Sequence, residues 1–146
     1  MKKDDRLIYL IFTAQQKLRT YMKNVLMKEN VRVTTAQAGI LFLLKQKSGQ
    51  SMSELSQVLS IDNSTLTGLI DRLERSGFVR RNSNPGDRRA LNIDITDTGL
   101  RELEKAKAVI RRINEEIKAG FSEQEMESFK KVLQHFTLKF NKSTEE

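Results

Sequence analysis

Apolar residues recur at steps of three and four along most of this chain, a spacing that predicts helices. Leu7, Ile11, Ala14, Leu18, Tyr21 or Met22, and Val25 line one stripe of a first helix expected over Asp5 to Lys28. Asn30 to Val33 breaks the pattern, and Thr34-Thr35-Ala36-Gln37 opens a second helix with a capping box, in which hydroxyl and amide side chains satisfy each other's backbone N–H. Ile40, Leu41, Leu43 and Leu44 follow densely enough to bury that helix on most sides. Lys47 to Gln50 is turn-like, and Ser51 with Glu54 makes a second capping box for a short helix to about Leu59, with Leu55, Val58 and Leu59 as its buried face. After the tight connection Ser60-Ile61-Asp62, Asp62 is placed to cap a helix from Asn63 to about Arg75. Its apolar positions Leu66, Leu69, Ile70 and Leu73 share one side, leaving Asn63, Ser64, Thr65, Thr67, Gly68, Asp71 and Arg72 on the other.

The period then changes to two. Ser76-Gly77 ends the helix, Phe78 to Asn82 and Ala90 to Ile95 read as strands, and Ser83 to Arg89 is the loop between them. Thr96 caps a long helix from Asp97 to about Lys118, roughly 33 Å at 1.5 Å per residue, on which Leu103, Ala106, Ile110, Ile113 and Ile117 form a coiled-coil-like seam. Gly120 ends it, and Ser122 with Glu125 gives a third capping box before a last helix carrying Met126, Phe129, Leu133, Phe136 and Phe140. Asn141 to Glu146 is expected to fray. The fold class is therefore mainly α with a small β-hairpin wing: a winged helix-turn-helix over residues 34–96, with helical dimerisation segments over 1–33 and 97–146.

Charge sharpens this picture. The 146 residues carry a net charge of +7, which favours a polyanionic partner, although a basic surface can equally serve solubility. Between Arg72 and Leu91 stand six arginines (Arg72, Arg75, Arg80, Arg81, Arg88 and Arg89) against two acids, Glu74 and Asp87, and no lysine. Arginine suits phosphate because its planar fork binds bidentately, and it suits the enhanced negative potential of a narrow minor groove. Short polar side chains on the preceding helix suit a major groove only about 12 Å wide, since they let the helix lie deep; capping alone accounts for Asp62 but for at most one of Ser64, Thr65 and Thr67.

Other chemistries are poorly supported. Cysteine is absent, excluding disulfides and thiolate metal sites, and the single histidine, His135, cannot assemble a catalytic group or a metal site without partners. No cofactor, metal or catalytic residue is expected. No apolar run approaches the roughly 20 residues that span a bilayer, and the Met1 to Arg6 start is not a secretory signal, so no membrane partner is expected and the expected location is cytoplasmic.

The order of helices, Asp71-Arg72-Leu73-Glu74, Gly77, Asn84-Pro85-Gly86-Asp87-Arg88-Arg89 and Ile95-Thr96-Asp97-Thr98-Gly99 resembles the MarR family of winged-helix bacterial transcription regulators, which bind DNA as homodimers. The resemblance covers essentially the whole chain. It implies that Arg89 enters the minor groove and that Asp87 orients the wing through an ion pair with Arg72, with Arg75 or Arg80 as other possible partners. The implied DNA-binding set is Asn63, Ser64, Thr65, Thr67, Gly68, Arg72, Arg75, Arg80, Arg81, Asp87, Arg88 and Arg89. It further implies a small aromatic or phenolic effector, for which Tyr9, Phe12, Phe42 and Met52 are candidate linings.

Three long apolar stripes, on the first and the last two helices, exceed what one small lobe can hide. A homodimer would cover the surplus and set two recognition helices about 34 Å apart on a pseudo-palindromic site of double-stranded DNA. The expected function is thus a sequence-specific transcriptional regulator of the repressor type. The competing reading is a winged helix that docks to an acidic protein partner without specific DNA binding.

Overall fold

The apolar side of the helix after Asp62 organises the core: Leu66, Leu69, Ile70 and Leu73 are all buried. The computed structural model describes residues 6–84 and 86–141, and describes Asn84 and residues 87–91 through their backbone alone. Its elements run α1 (Leu7–Lys28), α2 (Thr35–Gln46), β1 (Gln50–Ser51), α3 (Met52–Leu59), α4 (Asn63–Arg75), β2 (Val79–Asn84), β3 (Asp87–Ile95), α5 (Asp97–Lys118) and α6 (Glu123–Lys139). The chain forms two compact units, Met1–Ile110 and Arg111–Glu146. The architecture is that of a winged helix-turn-helix, with a three-stranded antiparallel sheet of order β1-β3-β2.

In the first unit, Ile40, Leu41 and Leu44 of α2, Leu55 of α3, the apolar side of α4, Phe78 and Val79 at the start of the hairpin, and Ile93 of β3 are buried. Leu103, Ala106 and Val109 of α5 are buried as well. Helix α1 buries only Met22 and Leu26, and Leu7, Ile11 and Leu18 of its expected stripe remain exposed. In the second unit α6 buries no residue, and Phe129, Val132, Leu133 and Phe140 are exposed. The Phe136 and Phe140 rings meet at 5.9 Å, tilted by 59°.

Several expectations change. A third strand, β1, sits where a turn was expected, with Gln50 opposite Ile93 and Ser51 opposite Asn92. The buried Gln50 side chain donates from Nε2 to the carbonyls of Leu43 (2.6 Å) and Lys47 (3.0 Å), satisfying acceptors at the end of α2. The capping boxes at Thr34/Gln37 and Ser122/Glu125 form in both directions. At Ser51 the reciprocal half is missing: its hydroxyl accepts from the Glu54 N–H at 3.1 Å, while Glu54 Oε1 faces that same hydroxyl at 3.4 Å. Val58 is exposed at 62%, not buried, because it falls beside the stripe set by Leu55.

The hairpin is longer than expected. Backbone pairing extends β2 to Asn84 and starts β3 at Asp87, since polar residues can join a ladder through their main chains whatever their side chains favour. Pro85 of the expected loop, Asp5 of the expected first helix with the residues before it, and Lys142 to Glu146 of the expected tail lie outside the described residues. Register is regular from Val79↔Ile95 to Ser83↔Leu91 and then jumps to Asn84↔Asp87. The jump leaves Arg88, Arg89 and Ala90 in a bulge with no facing residue on β2.

Candidate nucleic-acid interface

The polar face of α4 starts from its cap. Ser60 adopts a left-handed conformation (φ 53°), so α3 ends and Asp62 caps α4 within a few residues. The Ser56 hydroxyl closes the turn by donating to the Ile61 carbonyl at 2.6 Å. Asp62 Oδ1 accepts from the Thr65 N–H at 2.7 Å and from the Ser64 hydroxyl at 2.8 Å. Those two bonds, the Thr65 N–H foremost, hold the Asp62 carboxyl below its usual 3.8.

A group whose folded pKa is depressed stabilises the fold above its unfolded value and loses that contribution as pH falls through the folded one. Asparagine caps a helix about as well as aspartate but does not titrate. Asp62→Asn is therefore expected to match the parent at neutral pH and to lose less stability as pH falls below 3.8. Urea midpoints across that range check this; parallel acid profiles would refute the assignment.

Of the sequence-predicted contacts, Asn63, Ser64, Thr65 and Thr67 are exposed on α4, with Gly68 partly exposed behind them. The Thr67 hydroxyl donates to the Asn63 carbonyl at 2.7 Å, a common back-bond within a helix. Gly68 leaves room for Arg72, whose Nη2 lies 3.8 Å from where a Cβ on residue 68 would stand. Arg72, Arg75 and Arg80 are exposed. The expected Asp87–Arg72 pair, and the placement of the Arg88 and Arg89 side chains, fall outside the described residues.

Arg81 is held within the protein. Its guanidinium spans two acids of α4, with Nη2 2.5 Å from Asp71 Oδ1 and Nη1 3.4 Å from Glu74 Oε1. Neighbouring Asn82 donates to Asp94 across the ladder. The base of the hairpin is thus tied to α4 by charge as well as by the core.

A second junction joins the two ends of the α4–hairpin excursion. The Thr96 hydroxyl donates to the Gly77 carbonyl at 2.5 Å and accepts from the Gly99 N–H at 3.0 Å, while the Thr96 N–H donates to the Phe78 carbonyl at 3.0 Å. Gly77 supplies the left-handed residue this exit from α4 requires (φ 80°). Gly99 has no space for a side chain: an added Cβ would overlap the Phe78 carbonyl oxygen and lie 2.9 Å from Ile95 Cγ1. The buried Glu102 reinforces the same corner, Oε1 accepting from the Arg32 N–H at 2.6 Å, with the Arg32 guanidinium 5.2 Å from the Phe78 ring centroid. Sequence reasoning missed Gln50 and Glu102, because a polar residue among surface polar residues carries no signal of burial.

A helix-turn-helix whose second helix exposes small polar residues and arginines, followed by an arginine-rich hairpin, defines a winged helix-turn-helix of the nucleic-acid-binding type. The sequence profile of the MarR family matches residues 33–91. The chain is 30% identical over 111 residues to the transcriptional repressor MdtR of Bacillus subtilis, covering 76% of this chain and 70% of MdtR. It is 40% identical over 90 residues to the transcriptional regulator PecS of Dickeya dadantii, covering 57% of this chain and spanning 50% of that relative. The structure of a MarR mutant from E. coli in complex with operator DNA aligns with a TM-score of 0.81 at 26% identity, over 90% of this chain and 94% of that one. The chain belongs to the MarR family, whose members are transcription regulators rather than enzymes. Among the described residues, no helix is long and apolar enough to cross a membrane.

Proposed function

We propose that the chain binds double-stranded DNA as a homodimer and represses transcription from a pseudo-palindromic operator. The observation that carries this reading is the exposed face of α4, on which Thr65, Arg72 and Arg75 are open to solvent, as is Arg80 of the hairpin. The operator-bound relative supports the choice of partner. The exposed apolar residues of α1 and α6 support a second copy, because burying apolar surface yields roughly 25 cal/mol per Å².

The hydrogen bonds on α4 bear on what is read. The hydroxyl protons of Ser64 and Thr67 are engaged by Asp62 and Asn63, so these side chains offer groove-facing acceptors, whereas Arg72 offers only donors. Acceptors suit the amino groups of cytosine or adenine, and Arg72 suits guanine N7 and O6. Thr67→Val is expected to change preference among duplexes by about 1–3 kcal/mol at one base pair in each half-site.

The test is a gel-shift and sedimentation series with duplexes selected from a random pool. Two chains per duplex, with affinity falling steeply as salt rises, is the expected result. Indifference to DNA at low salt would favour docking to a protein instead. A small aromatic or phenolic effector would act through its preference for the spacing that does not fit DNA. Tyr9, Phe12 and Phe42 are exposed, and neither the depression on α1 around Gln16, Thr20 and Tyr21 nor the one on α6 around Lys131 and His135 includes them or Met52.

A further inference from the structure

We propose that Arg81 is a positioning residue: by bridging Asp71 and Glu74 it fixes the hairpin at the angle to α4 that DNA requires, so that two acids on the recognition helix promote binding to a polyanion. The inference rests on the DNA-binding reading above and deepens it.

Three observations converge on it. The Arg81 side chain is the least exposed of the three at 25%, against 42% for each acid, and it reaches both acids at once. Asp71 and Glu74 are one helical turn apart on α4, so a single planar fork can span them, whereas the compact ammonium of a lysine could serve only one well. Arg81 also stands opposite Ile93, a core residue of β3, so holding its backbone holds the root of both hairpin strands. The tip, with Arg88 and Arg89 in its bulge, moves as a lever about that root.

The clamp inverts the ordinary electrostatic expectation. Removing negative charge near DNA normally tightens binding. Here Asp71→Asn/Glu74→Gln releases the root, and apparent affinity falls with the fraction of molecules whose hairpin is correctly set. A partly exposed ion pair of ordinary strength corresponds to a loss of up to about fivefold.

The experiment compares the parent, Asp71→Asn/Glu74→Gln, Arg81→Gln and the swap Asp71→Arg/Arg81→Asp by two readouts. Amide hydrogen exchange of β2 and β3 without DNA reports the clamp itself. Binding to the selected duplex over a salt series reports its consequence. Expected are faster hairpin exchange and weaker binding in the first two variants, an unchanged log-log salt slope in Arg81→Gln, and partial recovery in the swap. Tighter binding by Asp71→Asn/Glu74→Gln, or a slope shallower by about one in Arg81→Gln, would make Arg81 a phosphate contact and overturn the proposal. Unchanged hairpin exchange would overturn it independently of DNA. Failure of the parent to bind any duplex would instead sink the DNA-binding reading, with the exchange data still deciding whether the clamp exists.

Discussion

Gly99→Ala should lower the thermal midpoint by about 5–10 °C, the effect of roughly 2–3 kcal/mol in a domain of this size. Helix propensity alone predicts the opposite sign, since alanine is favoured over glycine by up to about 1 kcal/mol within a helix. Sterics decides the outcome. The new methyl group would overlap the Phe78 carbonyl oxygen, and that oxygen cannot withdraw without breaking its hydrogen bond from the Thr96 N–H. Gly39→Ala is the control, because its Cβ would meet Leu59 Cδ2 at an ordinary 3.5 Å and the substitution should be neutral or stabilising. Thermal melts of both variants check the pair, and equal shifts would mean that the corner yields more readily than its hydrogen bonds imply.

Arg89→Ala is expected to weaken operator binding by about tenfold to a hundredfold, the scale of one groove contact, and to leave the melting temperature close to that of the parent. Two considerations support the size of this effect. Arg89 stands in the bulge of β3, where no residue on β2 pairs with its backbone. The Asp87-Arg88-Arg89 motif, through its resemblance to the family's wing, also implies a groove contact for it. A phosphate contact would make the log-log salt slope shallower by about one, whereas a contact to base edges in the minor groove would change sequence preference instead. A variant binding as well as the parent at every salt concentration would remove the hairpin tip from the interface.

The readable parts of the sequence were those in which a period and a cap agree. Leu66, Leu69, Ile70 and Leu73 mark one side of α4, and Asp62 caps it as expected. The same agreement placed α2 and α6 through Thr34/Gln37 and Ser122/Glu125. Two residues are too few to show an alternation, so β1 could not be told from a turn. Val58 failed because an eight-residue helix offers too few apolar positions to fix the centre of its stripe. The composition of the candidate interface was legible from its arginines and small polar residues, but the partner of each arginine was not. Arg80 and Arg81 are adjacent and identical in type, yet the alternation of a strand leaves one exposed and sends the other to Asp71 and Glu74.

The hydrogen bonds of Thr96 to Gly77 and Phe78 give the hairpin a closed root: the chain leaves α4 and re-enters at α5 through one small knot of main chain. Whatever lies beyond that knot is an excursion whose length is geometrically uncoupled from the junction beneath it. Doubling the length of a flexible tip costs only about 0.6 kcal/mol in closure entropy, and the ends of α4 and α5 need not move to accommodate it. A tip of different length or charge can therefore be carried on the same junction, with the angle between the two helices left unchanged.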